Sequence, residues 1–120
     1  MAIRSFRDLE VWRVSMQLVE EVYRLTLRFP VDERYGLVAQ LRRAAVSIPS
    51  NIAEGSVLQS RSYLHHLRIA LGSEAELQTQ LALAIRLELT SHEHAEPALN
   101  LAGQVGRMLR GLIKSLIPDP

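Results

Sequence analysis

Glu54 and Glu76 are the carboxylates to consider first for chemistry, because two acids in unequal surroundings can divide the roles of proton donor and acceptor. Neither stands beside a nucleophile or a recognisable substrate pocket, so the chain is expected not to be an enzyme. The four histidines give no metal site. His65 and His66 are adjacent and diverge by about 100° on a helix, while His92 and His94 fall in a turn without a Glu-x-x-His arrangement. Gly103, Gly106 and Gly111 are scattered through a helical pattern with no strand before them, which is not a phosphate loop. Cysteine is absent, excluding disulfides, thiolate metal sites and cysteine nucleophiles. No cofactor is expected.

The densest polar chemistry lies between Gln40 and Gly55. On a helix that continues through Pro49, the residues Gln40, Ser47, Asn51 and Glu54 follow one flank. Buried polar groups must be hydrogen-bonded, so Gln40, Asn51 and Glu54 are expected to form a network with Glu76 and Gln80 of the next helix and to satisfy the carbonyl that Pro49 releases. Arg42 and Arg43 offer a second reading, an anion site. Two further basic groups are Arg61 with Arg68, near His65, and Arg107, Arg110 and Lys114, which share one side of the last helix. Repeated around a symmetric oligomer, these seven cations could hold RNA or DNA weakly, without sequence preference and with strong salt dependence.

The elements that position these groups follow from apolar spacing. Leu9, Trp12, Met16, Val19, Tyr23 and Leu27 recur every three or four residues and predict a first helix, with Ser5 and Asp8 as its start signal and Phe29-Pro30 its end. Leu37, Leu41, Ala44, Ala45, Ile48 and Ile52 predict a second, kinked near Pro49 and capped by Gly55. Ser56 to Ser62 reads as a connection rich in capping residues, with Ser60 or Ser62 starting the next helix. Tyr63, Leu67, Ala70, Leu71, Leu77, Leu81 and Ile85 predict a third helix that reaches about Leu89, in which Gly72 marks a close backbone approach. A break over Thr90 to His94 with Ser91 as cap precedes a fourth, carried by Leu99, Ala102, Val105, Leu109, Leu112 and Leu116 and closed by Pro118. Four such helices with short links predict an all-α, up-down-up-down four-helix bundle occupying residues 1–120 as a single domain.

One bundle core does not use all the apolar residues. Val11, Val14, Leu18, Val22 and Leu25 form a second stripe on the first helix, and Ile69, Leu83 and Leu87 lie off the main face of the third. Soluble monomers seldom leave such stripes in water, so both sets are expected to form an interface between copies, a homo-oligomer with closed symmetry.

Apolar residues make up 48% of 120 positions, enough for one core, and the formal charge is +1, too small for global attraction to polyanions. Thirteen of the fourteen basic residues are arginine, the side chain suited to planar bidentate contacts. Early acidic residues and the lack of a long apolar run argue against a leader or a membrane span. A cytoplasmic protein with no membrane partner is expected, acting as an oligomeric scaffold or adaptor for an unidentified protein partner, or alternatively binding nucleic acid.

Phe6-Arg7-Asp8-Leu9-Glu10-Val11-Trp12, Tyr35-Gly36-Leu37, the run Gln40-Leu41-Arg42-Arg43-Ala44-Ala45, Ser47-Ile48-Pro49-Ser50-Asn51-Ile52-Ala53-Glu54-Gly55, and Ile69-Ala70-Leu71-Gly72-Ser73 with Glu76-Leu77 together resemble a bacterial four-helix-bundle family. The family is named for proteins encoded in intervening sequences of 23S ribosomal RNA genes, and older labels call it a ribosomal protein family. It is similar in fold to the accessory protein of diversity-generating retroelements, a pentameric barrel that engages nucleic acid and a reverse transcriptase. The resemblance therefore implies a homopentamer and places Arg42 and Arg43 in the family's basic pair. Where the family pattern reads Gly-Ser-Leu, this chain has Gly72-Ser73-Glu74, which puts a carboxylate on the main apolar face.

Overall fold

The computed structural model describes residues 5–117. A short 3-10 turn, Phe6–Asp8, precedes four α-helices: α1 (Glu10–Thr26), α2 (Leu37–Leu58), α3 (Ser60–Arg86) and α4 (His92–Leu116). Among the described residues there are no strands. Each helix packs on its neighbours in sequence and α1 closes against α4, while the backbones of the diagonal pairs stay apart. The result is an up-down-up-down four-helix bundle of about square cross-section, 46 × 27 × 23 Å.

Cross-helix bonds fix the antiparallel registers. Ser47 and Ser73 hydroxyls meet at 2.8 Å and Asn51 meets His66 at 2.9 Å, tying α2 to α3. Arg42 Nε donates to Thr26 Oγ1 at 2.9 Å, tying α2 to α1. Leu18, Leu41, Ile48, Ile52, Leu67, Leu77, Leu81 and Leu109 are fully buried at the centre, each worth about 2 kcal/mol in apolar area removed from water. Trp12, by contrast, lies at the margin of this interior.

The structure reverses the two stripes of α1. Val11, Val14, Leu18, Val22 and Leu25, expected at an interface between copies, form the core face, while Met16, Tyr23 and Leu27 are 38%, 41% and 76% exposed. Shape and polarity explain the choice. The branched side chains of α1 are buried in one core with the small Ala95, Ala98 and Ala102 of α4, the helix that α1 packs on, whereas Trp12 and Tyr23 keep a polar edge within reach of water or a cation. Ser15 and Thr26 also face inward, made tolerable by bonds to the carbonyls of Trp12 and Val22 at 2.8 Å each.

The helix ends differ from the sequence expectation in three places. Ser5 caps the 3-10 turn, accepting from the Arg7 N–H at 3.1 Å, and not α1 itself. α2 runs unbroken through the buried Pro49 and past Gly55 to Leu58, so Gly55 is no cap and no loop spans Ser56 to Ser62. The turn into α3 is instead made at Gln59 and Ser60, both with positive φ, at 60° and 54°. Gly55 serves a close approach: an added Cβ would stand 2.8 Å from His66 Cβ and 3.2 Å from the Tyr63 ring. Gly72, expected to have that role, has nothing within 4 Å of such a Cβ. Ser91 caps α4 as anticipated, accepting from the His94 N–H at 3.0 Å. Pro118 lies outside the described residues.

Candidate functional site

Three features could carry function: a polar seam between α2 and α3, an apolar groove between α1 and α2, and an uneven distribution of charge along the bundle.

The seam contains Asn51, as expected, but with different partners. Asn51 Nδ2 donates to the Ser47 carbonyl at 2.8 Å and to Ser47 Oγ at 3.1 Å, its Oδ1 faces His66 Nδ1 at 2.9 Å, and Ser47 continues to Ser73. Helix geometry dictates this set, because residues 47 and 51 lie one turn apart on the flank of α2 that meets 66 and 73 of α3. Gln40, Glu54 and Glu76 are exposed and stand outside the seam, apart from a 3.9 Å approach of Glu54 to His66. Their side chains leave the flank for water, which solvates an amide or a carboxylate at little cost. Gln80 is buried, and its Oε1 accepts no hydrogen bond. Ser50 and Asn51 bond the carbonyls of Val46 and Ser47, not that of Ala45. His66, left out of the network expected from sequence, is the member that was missed. Its spacing of seven from Ser73 was the available signal, since it places both on one face of α3.

Glu74 is 1% exposed, packed where the sequence put it, on the core face of α3. Two residues accommodate it. Gly106 of α4 leaves room, since a Cβ there would come within 3.0 Å of the carboxylate, and Gln78, one turn on, donates to Glu74 Oε1. Tyr63 sits at the margin of a 480 Å³ cleft beside the 3-10 turn, lined also by Phe6, Ser56 and Gln59, and burial pushes its phenol above the ordinary value of 10.0. Among the described residues no group of three metal-ligating side chains is gathered, and no helix is long and apolar enough to cross a membrane.

The groove is the larger apolar feature. Trp12, Met16 and Val19 of α1 face Val46, Pro49 and Ala53 of α2 across about 350 Å³ of open space. Further along α1, the Tyr23 ring lies 4.3 Å beneath the Arg42 guanidinium of α2. Ile69, Leu83 and Leu87 form a second exposed apolar strip on α3, at 38%, 45% and 63%. They are off the core, as the periodicity indicated.

Charge divides with the antiparallel registers. The half containing the start of α3 and the end of α4 holds Arg61, Arg68, Arg107, Arg110 and Lys114, all exposed, with Arg7 and Arg13 of the N-terminal region. Among the described residues only Asp8, Glu10 and Glu54 oppose them there, an excess of about four positive charges with histidine neutral. The other half holds Arg42 and Arg43 but most of the acidic residues, including Glu20, Glu21, Asp32, Glu33, Glu88, Glu93 and Glu96. The seven cations grouped by sequence thus separate into five at one end and two at the other, and Arg42 is already engaged with Tyr23 and Thr26.

A square bundle of four helices with an open apolar groove between α1 and α2 places the chain among small all-α bundle proteins. The chain belongs to the 23S rRNA-intervening sequence protein family, whose model matches residues 7–111. It is similar to the crystal structure of a protein of unknown function from the S23 ribosomal protein family of Bacteroides thetaiotaomicron VPI-5482. That likeness has 30% identity and a TM-score of 0.78, and covers 87% of this chain and 98% of that one. No curated protein matches the chain significantly.

Proposed function

We propose that the protein is a non-catalytic, cytoplasmic scaffold or adaptor that works as a closed homo-oligomer, with the homopentamer the order implied by the family resemblance. The observation that carries this reading is the groove of Trp12, Met16, Val19, Val46, Pro49 and Ala53, a contiguous apolar surface on a bundle whose own core is already complete. Covering it recovers apolar area at about 25 cal/mol per Å². A ring would present several copies of one surface to a protein partner, which is what an adaptor needs. Light scattering coupled to size exclusion tests it at micromolar concentration. The 13.5 kDa chain is expected at several times its own mass, about 68 kDa for a pentamer, and Met16→Glu is expected to shift it to monomer. A wild type at monomer mass rejects the reading.

The charge division favours a second reading, binding of RNA or DNA at the end bearing Arg61, Arg68, Arg107, Arg110 and Lys114. Fluorescence anisotropy with structured RNA and duplex DNA should then give affinity that falls steeply with salt. No binding at low salt removes this reading.

A further inference from the structure

We propose that the pocket of about 180 Å³ where α1 turns into α2 binds a small organic carboxylate, with Arg42 and Arg34 holding the head group and Phe29, Pro30 and Val38 the apolar body. The site shares no residue with the groove or with the five-cation end of the bundle.

Both sides of the turn build it. Thr26, the last residue of α1, is buried, and its hydroxyl donates to the Val22 carbonyl at 2.8 Å. An oxygen lone pair is left to accept from Arg42 Nε at 2.9 Å, while the Tyr23 ring covers one face of the guanidinium at 4.3 Å. These two contacts hold the half-buried guanidinium in one plane and leave its terminal N–H groups unspent. Pro30 cannot continue the helix, and the 3-10 turn Val31–Glu33 that follows brings Arg34 onto the same pocket. Phe29 and Val38, both buried, give it an apolar wall.

Neither arginine is paired with an acid. Among the described residues Arg34 and Arg42 form no ion pair, although Asp32 and Glu33 stand in the turn between them. Glu33 instead accepts from the Leu37 N–H at 3.3 Å. A half-buried cation without a counter-charge is costly, and a carboxylate answers it with charge-assisted bonds that match the guanidinium fork. Because Thr26 and Tyr23 already orient Arg42, little ordering is lost on binding.

Size, polarity and charge select the ligand. The volume lies below that of sites for drug-sized molecules, about 300–1,000 Å³, and suits a ring or short chain bearing one head group. The apolar wall rewards a body that leaves water, which inorganic phosphate lacks. Glu20, Glu21, Asp32 and Glu33 in this half of the bundle repel a polyanion, so a nucleic-acid backbone is disfavoured here. The C-terminal end of α1 and the N-terminal end of α2 meet at the pocket with opposite partial charges, which leaves the two guanidinium groups to set its sign.

Benzoate is the probe. Titrated into the full chain to about 20 mM at constant ionic strength, it should shift the NMR signal of Arg42 Nε–H saturably, with a Kd of about 1 mM. Benzamide has the same shape without the charge, and inorganic phosphate the charge without the apolar body; each should bind roughly tenfold more weakly or worse. Arg34 is exposed and makes no side-chain bond among the described residues, so Arg34→Gln should keep the fold by circular dichroism and weaken benzoate roughly fivefold or more. No saturable shift in that range, a response to benzamide or phosphate equal to that for benzoate, or unchanged affinity in Arg34→Gln overturns the site.

Discussion

Gly55→Ala and Gly72→Ala impose the same chemical change on two exposed-to-buried extremes of the bundle and should move stability in opposite directions. Replacing a helical glycine with alanine gains about 1 kcal/mol in propensity at either position. At Gly72 nothing lies within 4 Å of the new methyl, and that gain should appear in full. At Gly55 the methyl would stand 2.8 Å from His66 Cβ and 3.2 Å from both the ring and the carbonyl of Tyr63. Two of those atoms are fixed to the α3 backbone, so relief requires moving the helices apart by several tenths of an ångström. Such overpacking costs about 1–3 kcal/mol. Separation would also stretch the Asn51–His66 bond nearby. The difference between the variants cancels propensity and isolates the steric cost, expected at about 2 kcal/mol. Urea unfolding at one fixed protein concentration measures it, because association contributes to apparent stability. Should Gly55→Ala equal or exceed Gly72→Ala, the close approach of α2 and α3 is not as described.

Three further outcomes follow from the interior. Glu74→Leu should stabilise the chain by about 1 kcal/mol, because a buried carboxylate held by one amide is replaced by an apolar side chain of similar size; a loss in urea unfolding would mean the carboxylate has stronger partners. Asn51→Ala should cost about 1–2 kcal/mol and leave the helical signal intact, as it removes the links to Ser47 and His66 at a half-buried seam. Tyr63 has a folded-state pKa raised by burial, so its contribution is complete below the unfolded value of 10.0 and is lost as pH rises through the folded value. Tyr63→Phe should therefore lose less stability than the wild type above pH 10, and identical alkaline profiles by denaturant melts would contradict this.

Helix number, order and most of the core were legible because three- and four-residue spacing identifies a buried face wherever one stripe dominates, as it does for Leu41 to Ile52 and Tyr63 to Leu81. On α1 two stripes compete. Periodicity counts Leu9 to Leu27 and Val11 to Leu25 alike, and the choice between them falls to how side chains of each shape fill the shared interior. The seam was half legible for a related reason. Sequence shows which flank of α2 is polar, but the partner on α3 depends on register, which the one-residue turn at Gln59 sets. With a loop from Ser56 to Ser62 the opposing residues would be different ones. Glu74 shows the reverse case: its inward position was readable, whereas the glycine that makes room for it lies on another helix.

Assembly and charge division bear on each other. In a cyclic ring of parallel copies, every end bearing Arg61, Arg68, Arg107, Arg110 and Lys114 faces the same side. Neighbouring bundles with transverse extents of 27 and 23 Å keep those ends more than a Debye length of about 8 Å apart at physiological salt. Their mutual repulsion is therefore screened. A polyanion that touches several ends at once releases counterions at each, so its binding grows with the number of copies. Affinity for nucleic acid should accordingly fall far more on dissociating the ring by Met16→Glu than on neutralising Lys114 alone, although Met16 lies in the groove and not among those cations. Equal losses from the two variants would mean that single bundles bind independently.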